Sequence, residues 1–582
     1  MIVCCSRAYA GTRQQLNFII NLEPKLSIKK DLDNLAKDII KNANLYNTTN
    51  QKNYWAIEAK KLFTKLLYSY GYYECLVEEV SDSPDVGDVV FNIVAGDRYK
   101  IGEILILHNE HSNKNITLPT LDNIKISPGD VVLAQDIDNA QQKISRFIER
   151  HNCLLSFSVS NQCILNSVKK DVSITFLVNA GPTAVIESVD FIGLKSVKAD
   201  YVKKLIKLNK GQCFKNSYIR DARGYLQKSG LFASTTPSIP TAVNKDGAVP
   251  VTFNLTERKF RSFKTGLNYS TYSSIGTVVG WEHRNLFGSG EKGNVDLSGN
   301  KKEQVLELSY IKPFFQRDDQ KLRFNAKIEN KKSKAFYSKG INSSILLERE
   351  LSSKWQGGAG ARLSYDNVDH TSQSKTKRQY YLVSMPFFLT YDTRNNILNP
   401  RKGYYLNFDL APFLQINKDN TSFVKNQISA TTYCSNNKVK LRPTLALKAA
   451  IGSILGVDSI KVPMTERFYV GGSSSVRGYA NQLVGSLDKN NKTIGGRSFV
   501  ETSAEIRLKL SKSMQLVSFV DSGFVYNKQT PNLNKKLLHG VGFGIRYATN
   551  FGPIRFDIGF PTKRRKSVDQ AFQLYFGIGQ AF

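Results

Sequence analysis

The sequence of 582 residues contains no run of about 18 consecutive apolar residues. A helix needs a run of that length to cross the hydrocarbon core of a bilayer, so a conventional transmembrane helix is excluded. A transmembrane β-barrel is not excluded, because its strands are short and only one face of each strand is apolar.

Motifs of enzymes and of metal sites are also missing. The six histidines form no HExxH and no other recognisable ligand spacing, and the chain has neither a G-x-S-x-G motif nor a P-loop. The seven cysteines include no CxxC pair and suggest no even framework, which predicts packed or surface thiols rather than a zinc site or a disulfide scaffold. We therefore expect no enzymatic activity and no cofactor.

Positive charge, in contrast, is abundant. Lysine and arginine number 81 against 49 aspartates and glutamates, which gives a net charge of +32. Such a balance fits a nucleic acid partner, an anionic membrane surface or a lysine-rich proteome. No zinc-finger spacing, basic-region helix or RNP-type aromatic strand accompanies the charge, so no nucleic acid partner is predicted.

The first ten residues raise the question of export. They lack the full apolar segment of a signal peptide, yet Ala8-Tyr9-Ala10 has the small-residue form of a signal-peptidase site. Two interpretations stay open: residues 1–10 are a possible remnant of an export signal, or the tripeptide is a chance match.

Three segments up to about residue 258 resemble one another at a spacing near 80 residues, which predicts internal repeats. Each has a helix with apolar residues at helical spacing, followed by an alternating run such as DVSITFLVNA. Each therefore reads as a small α+β domain whose helices cover one face of a short sheet. The expected boundaries are 11–95, 96–180 and 181–258.

From residue 259 to residue 582 the helical period gives way to alternation. In IRFDIGF, residues 554–560, isoleucine and phenylalanine occupy one face while Arg555, Asp557 and Gly559 occupy the other. A soluble sandwich shows the same alternation, but a stretch of this length without a helix favours a membrane barrel. At roughly 20 residues per strand and turn, the region predicts an all-β barrel of about 16 antiparallel strands.

A glycine- and serine-rich stretch inside this region, RFYVGGSSSVRGYA, carries Arg477. Two later strands supply carboxylates, Glu505 and Asp521. Alternation puts Asp521 on the same face as Phe519 and Gly523, and because an aspartate is disfavoured against lipid, we place that face in the lumen. A guanidinium suits bidentate pairing with a carboxylate, so a loop that folds inward brings Arg477 between them. The alternative is an exposed loop arginine.

These residues carry a family resemblance. The segment VRGY at 476–479 and the segment FVDSG at 519–523 resemble the conserved barrel motifs of the outer-membrane assembly-factor superfamily, which joins POTRA domains to a C-terminal surface-antigen barrel. The YDTRNNILNPRKGYYL segment at 391–406 belongs to the same pattern. The loop motif is Val476, Arg477, Gly478 and Tyr479, and the expected loop partners on barrel strands are Glu505, Phe519, Asp521 and Gly523. The resemblance implies that the arginine loop folds back into the lumen and contacts Asp521 and Glu505.

Three repeats and about 16 strands look most like the TamA branch of this superfamily. The resemblance implies a protein of the cell outer membrane with its POTRA domains in the periplasm. It also implies that the protein inserts and folds unfolded outer-membrane protein clients, autotransporters among them, without ATP. The expected partners are those clients, outer-membrane lipids and a TamB-like inner-membrane-anchored protein. The alternative function is a polypeptide-secreting pore of the two-partner-secretion type.

Unpaired strand edges suggest two places where such a protein would act. A POTRA sheet with a free edge accepts an incoming strand by β-augmentation. The barrel closes between its first strand, near 262–271, and its last, and a weak seam there would open sideways. Gly577 and Gly579 weaken the last strand, unless they only relieve crowding in the lumen. The predicted seam and C-terminal signal residues are Phe572, Phe576, Gly577, Gly579 and Phe582.

Overall fold

The computed structural model describes residues 17–24, 26–43, 49–80, 88–110, 112–270, 274–333, 335–370, 377–416, 421–532, 534, 537–549 and 552–582. The predicted export-signal remnant, residues 1–10, lies outside these ranges. Within them, no helix is long and apolar enough to cross a membrane. The chain divides into two compact units: one runs to residue 192 and adds 208–224 and 236–254, and the other comprises 193–207, 225–235 and 255–582.

Three small α+β repeats come first, as the sequence predicts. The first contains β1 (Asn17–Glu23), α1 (Lys29–Ala43), α2 (Thr49–Ser69), β2 (Leu76–Val80) and β3 (Asp88–Val94). The second contains β4 (Lys100–His108), α3 (Leu121–Ile124), α4 (Ala134–His151), β5 (Phe157–Asn166) and β6 (Asp171–Ala180). The third contains β7 (Val185–Ile192), α5 (Ala199–Ile206), α6 (Asn216–Lys228), β8 (Phe232–Ser238) and β9 (Ala248–Glu257).

Each repeat has one three-stranded sheet with the same strand order. The orders are β1-β3-β2, β4-β6-β5 and β7-β9-β8, so the last strand of each repeat lies in the centre. The first strand pairs parallel to the central strand in all three sheets. The helices pack on one face through their apolar stripe; on α4 this stripe is Ile137, Ala140, Ile144 and Ile148, all buried. The repeated order leaves β2, β5 and β8 as equivalent sheet edges.

The cysteines correct one prediction. The expectation of packed or surface thiols is wrong for Cys153 and Cys213, which form a disulfide between the second and third repeats. The backbone of the linker between the repeats brings them together. It forms one isolated β-bridge from Thr183 to Leu154, next to Cys153, and another from Val185 to Cys213. The two cysteines are 60 residues apart in sequence, so spacing alone gives no sign of this pairing.

A closed antiparallel barrel follows. Its strand segments are β10 (Arg261–Ser270), β11 (Ser274–His283), β12 (Lys292–Asn300), β13 (Glu303–Pro313), β14 (Gln320–Lys332), β15 (Phe336–Glu350), β16 (Trp355–His370), β17 (Lys377–Ser384), β18 (Phe387–Asp392), β19 (Gly403–Gln415), β20 (Ser422–Ser435), β21 (Thr444–Leu455), β22 (Ser498–Lys509), β23 (Met514–Tyr526), β24 (Leu538–Thr549), β25 (Gly552–Pro561) and β26 (Gln573–Ile578).

The segments β17 and β18 are two halves of one strand. Both pair with β16 on one side and with β19 on the other. The interruption falls at Met385-Pro386, where proline has no N–H to donate to a neighbouring strand. In the described residues the wall therefore has sixteen strands in seventeen segments, which confirms the predicted barrel.

The distribution of polar side chains separates this barrel from a soluble sandwich. On β25 the charged residues Arg555 and Asp557 are buried, whereas Phe556 between them is exposed on the outer surface. A water-soluble sheet has the opposite arrangement. Apolar residues outside and charged residues inside are typical of a wall that faces lipid.

Candidate functional site

The segment 456–497, between β21 and β22, folds into the barrel lumen, and we call it the luminal loop. Short bridges within it, Phe468 with Gly496 and Val470 with Val484, make it compact. Its apolar residues form one buried cluster with the wall. The loop contributes Val462, Met464, Phe468, Val470, Val476, Tyr479 and Val484, and the wall contributes residues such as Ala450, Ile454, Phe499, Val525 and Leu538. This part of the lumen is filled by packed side chains.

Arg477 is the charged centre of the luminal loop, with only 1% of its surface exposed. Its guanidinium binds Asp521 of β23 in bidentate fashion, with Nε 2.7 Å from Oδ2 and Nη2 2.9 Å from Oδ1. The backbone N–H of Arg477 also donates to Asp521 Oδ2, at 3.0 Å. The aspartate thus fixes both the side chain and the main chain of the loop at this point.

Two further carboxylates complete the cage around Arg477. Its Nη1 lies 2.6 Å from Glu505 Oε1 on β22 and 3.3 Å from Asp557 Oδ2 on β25. The guanidinium carbon lies 3.4 Å from the centre of the Phe519 ring, a cation–π contact on the remaining side. Asp521 is buried and Arg477 is the only cation paired with it among the described residues, so removing Arg477 leaves that carboxylate without a counter-ion, at a cost of about 3–5 kcal/mol.

More arginines surround the cage. Arg507 donates through Nε and Nη2 to Glu505 Oε2, at 2.9 and 2.8 Å. Arg546 pairs with Asp557, and Arg555 Nε lies 3.8 Å from Asp557 Oδ2. With Arg477 this makes four cations against three carboxylates, 4 − 3 = +1. These ion pairs hold the luminal loop to the wall. The described residues contain no group of His, Cys, Asp and Glu that would hold a metal ion.

The other residues of the loop motif tie it to the last strand. Gly478 has a φ of 96°, and a Cβ at this position would lie 2.7 Å from the backbone carbon of Phe560. Its N–H donates to the hydroxyl of Tyr575 on β26, at 3.1 Å, and that hydroxyl donates to the carbonyl of Tyr479, at 3.0 Å. Gly523 leaves space for Val476, whose Cγ2 would lie 3.0 Å from an added Cβ.

A second set of charges holds the luminal loop to other strands of the wall. Glu466 is buried and pairs with Arg362 of β16 and Lys425 of β20, both at 3.0 Å. Its neighbour Thr465 donates to Asp366 of β16, at 3.1 Å. The loop is therefore anchored to β16 and β20 as well as to β22, β23 and β25.

The seam between the first and last strands is thin. Among the described residues, β10 and β26 pair only through Ser270 and Tyr575, whereas β10 and β11 pair over ten residues. The glycines at the seam have little around them: an added Cβ at Gly577 would meet only Arg555 Nη2, at 3.7 Å, and one at Gly579 would meet nothing within 4 Å. Relief of crowding therefore does not explain them. Gly579 has a φ of 91°, and it follows the last residue of β26.

The three phenylalanines of the predicted C-terminal signal lie in different places. Phe576, on β26, and Phe572, just before it, are exposed on the outer surface. Phe582 lies beyond the end of β26, so the alternation does not extend to it. Its carbonyl oxygen accepts a hydrogen bond from Arg507, at 3.3 Å, and its ring lies 5.7 Å from the guanidinium carbon.

Several residues of the network were not singled out as partners from the sequence. They are Arg362, Lys425, Glu466, Arg507, Arg546, Arg555, Asp557 and Tyr575. Alternation gives a usable signal for those on strands, because it places Arg555 and Asp557 on the inner face. Alternation does not show which residue each charged side chain pairs with, because the ion pairs depend on how the barrel closes and on the path of the luminal loop.

We expect Gly540→Ala to displace the luminal loop without touching any charge. A Cβ at Gly540 would overlap the carbonyl oxygen of Arg477, and a backbone atom can move only if the loop moves. Overpacking of this kind typically costs about 1–3 kcal/mol. The check is the temperature at which the purified barrel loses its heat-modifiable gel mobility.

Gly299→Ala is the matched control, because its new Cβ would meet only Gln304 Cγ, at 4.0 Å. The control should behave like the wild type. A Gly540→Ala protein with the same transition temperature as the control would show that the loop does not press on β24 at this point.

Comparison with known proteins gives a consistent picture. A family model described as an Omp85 superfamily domain matches residues 285–582, and a POTRA model, described as a surface antigen variable number repeat, matches residues 184–258. The outer membrane protein assembly factor BamA of Nitratidesulfovibrio vulgaris is 24% identical over 541 residues, which are 89% of this chain and 67% of that protein. A SAM50-like protein of Schizosaccharomyces pombe is 24% identical over 422 residues, 64% of this chain and 85% of that one.

One solved structure shows the same fold. The crystal structure of BamA from Haemophilus ducreyi lacking POTRA domains 1–3 aligns with a TM-score of 0.65 at 19% identity. The alignment covers 82% of this chain and 99% of that one.

Proposed function

This chain belongs to the Omp85 superfamily, and from that premise we propose that it is an outer-membrane assembly factor that inserts and folds β-barrel proteins, autotransporters among them. Relatives named as assembly factors align over most of the chain. The barrel lies in the outer membrane and the three repeats extend into the periplasm. The reaction needs no ATP, because folding of the client provides the free energy.

The observation that carries this proposal is a filled lumen beside a thin seam. The luminal loop is held by buried ion pairs at Arg477 and at Glu466, so the interior offers little room for a passing chain. The wall, in contrast, closes between β10 and β26 through one described residue pair. A client strand therefore enters through the wall, by pairing with the free edge of β10.

Arg477 and its three carboxylates connect the strands on the β26 side of the seam to the luminal loop. Glu505, Asp521 and Asp557 lie on β22, β23 and β25, and Tyr575 of β26 bonds to the loop. Strands β22–β26 and the loop thus form one connected body, while β10 is joined to it only weakly. We infer that opening separates β10 from β26 and leaves this body intact.

The second repeat provides a place to receive the client. Strand β5 is an edge of its sheet, and it pairs with β6 over ten residues. Most of its side chains are exposed, among them Ile164 and Leu165. Edge β2 has five residues, and edge β8 contains Pro237, which cannot donate to a partner strand. Of these three edges β5 is the longest without a proline, and we place β-augmentation of clients there.

The test is a reconstitution with an unfolded client barrel. Proteoliposomes containing the purified full-length chain should fold the client faster than protein-free liposomes. A photo-crosslinking residue at Ile164 should capture the client, because that side chain lies on the free edge of β5. The same residue at Ile57 is the matched control: it is an isoleucine on helix α2 with 54% exposure against 59% for Ile164.

Client folding tests the assembly function, and photo-crosslinking tests the place of β5 in it, so either prediction can fail without the other. Equal folding in both kinds of liposome would contradict the assembly function. Normal folding with equal crosslinking at Ile164 and Ile57 would leave assembly standing and remove β5 as the receiving edge.

Two narrower predictions belong to the same proposal. The three repeats and sixteen strands favour the TamA branch of the superfamily, and a TamB-like inner-membrane-anchored protein would then be the partner of the repeats. The alternative, a two-partner-secretion pore, requires the luminal loop to leave the lumen. The anchors at Arg477 and Glu466 count against that route.

A further inference from the structure

A cavity of about 690 Å³ lies at the end of the barrel where β10 begins and β11 ends, which we call the base. It lies wholly within the second compact unit. Its lining comprises Ser196, Lys259, Phe260, Arg261, His283, Asn285, Leu286, Phe287 and Gly288. The residues that follow β11 are fixed by two hydrogen bonds: the side-chain amide of Asn285 donates to the carbonyl of Ser196, at 3.2 Å, and the backbone N–H of Lys198 donates to the carbonyl of Gly288, at 2.8 Å.

The charge on this cavity is positive. Lys259 and Arg261 line it and are exposed, and its lining contains no aspartate or glutamate. The nearby carboxylate of Glu282 is already shared by Lys264, at 2.9 Å, and Arg284, at 3.6 Å.

Two other carboxylates beside the lining are bound to backbone N–H groups, Glu257 to that of Ser196 and Glu291 to that of Phe287. Lys259 and Arg261 form no ion pair among the described residues and are available to an anion from outside the chain.

The rim of the cavity is apolar on the side of the outer wall. Phe287 and Phe263 beside it are 65% and 80% exposed, which for phenylalanine is unusual unless the ring faces lipid or a ligand. A site that joins basic groups to exposed aromatic rings suits a molecule with an anionic head and an apolar tail. A free anion would use only the basic half.

The cavity also lies beside the unpaired part of the seam. The one described pair between β10 and β26 is at Ser270, so the base half of β10, from Arg261 onwards, has no described partner on β26. An acyl chain on the outer wall would therefore pass along the open edge of the first strand.

We propose that this cavity binds an anionic phospholipid, with its phosphate on Lys259 and Arg261 and its acyl chains against Phe263 and Phe287. The proposal rests on the membrane location in the proposed function, and binding of the lipid itself requires no client. The bound lipid covers the free edge of β10 while no client is present.

The experiment is a titration of the purified full-length chain, in non-ionic detergent, with dioctanoyl phosphatidylglycerol, followed by native mass spectrometry. The variant Lys259→Gln/Arg261→Gln should bind at least about tenfold more weakly, since each lost cation near a phosphate is worth about 1 kcal/mol. The control Lys438→Gln/Lys440→Gln removes the same charge from the turn between β20 and β21 at the same end of the barrel.

Three results would overturn the proposal. They are equal weakening by both double variants, equal affinity for dioctanoyl phosphatidylcholine, and binding of inorganic phosphate as tight as that of the lipid. All four substituted side chains are exposed, so we expect the variants to fold like the wild type. Unchanged heat-modifiable gel mobility of each variant is the check on folding. Client folding is measured on the same variants, so that a failure of the assembly function is seen separately.

Discussion

Arg477→Ala is expected to destabilise the barrel by about 3–5 kcal/mol, the usual cost of leaving a buried carboxylate without its cation. The carboxylate in question is Asp521, which pairs with no other cation among the described residues, whereas Glu505 keeps Arg507 and Asp557 keeps Arg546. The luminal loop also loses the side-chain part of its link to β23. The measurement is urea-induced unfolding in liposomes, with client folding as a second readout.

Graded substitutions separate charge from geometry. Arg477→Lys keeps the charge but loses the bidentate contact with Asp521, so we expect a smaller loss of about 1.5–3 kcal/mol. The double variant Arg477→Ala/Asp521→Ala should be no worse than Arg477→Ala alone, because the two residues act as a pair.

Lys489→Ala supplies the matched control, since Lys489 is an exposed cation of the same luminal loop. It should cost about 0–1 kcal/mol, as exposed charges do. If Arg477→Ala were as stable as Lys489→Ala, Arg477 would be a solvated loop residue, and the assembly proposal would lose its structural basis in the filled lumen.

The second large effect is expected from a covalent lock across the seam. Extending the register of Ser270 and Tyr575 by three residues puts Leu267 of β10 opposite Ile578 of β26. Both side chains are exposed on the outer wall. In a background whose other five cysteines are serines and whose Cys153–Cys213 bond is retained, Leu267→Cys/Ile578→Cys should form a disulfide. Oxidation should then reduce client folding to the protein-free rate.

The control for this lock shares one of its cysteines. Leu267 lies opposite Thr277 of β11 in the observed register, so Leu267→Cys/Thr277→Cys bridges two strands that are already paired over ten residues. It should fold the client normally when oxidised, and reduction should restore the seam variant. Equal activity of the oxidised seam lock and the oxidised control would show that the client does not pass between β10 and β26.

Much of the fold was predictable because it depends on local periodicity. Helical spacing on α4 and strict alternation on β25 are properties of short segments, and both appear in the structure with the expected faces buried. The count of about 16 strands followed from length, since strand and turn lengths in barrels vary little.

The site was only partly predictable, for a different reason. Alternation places Glu505 and Asp521 on inner faces, but it does not show that Arg477 also reaches Asp557, 80 residues along the chain. Glu466 carries no strand pattern at all, because it lies in the luminal loop. The Cys153–Cys213 bond likewise depends on how two repeats meet. Such contacts arise from closure of the fold, which no local pattern contains.

The most direct test of the assembly function combines two readings on one preparation of the wild-type chain. Planar-bilayer recording reports whether the lumen conducts, and liposome reconstitution reports whether a client folds. Because the luminal loop is anchored at Arg477 and Glu466, we predict small, irregular currents together with client folding above the protein-free rate. Steady conductance without client folding would contradict the assembly function and favour a secretion pore.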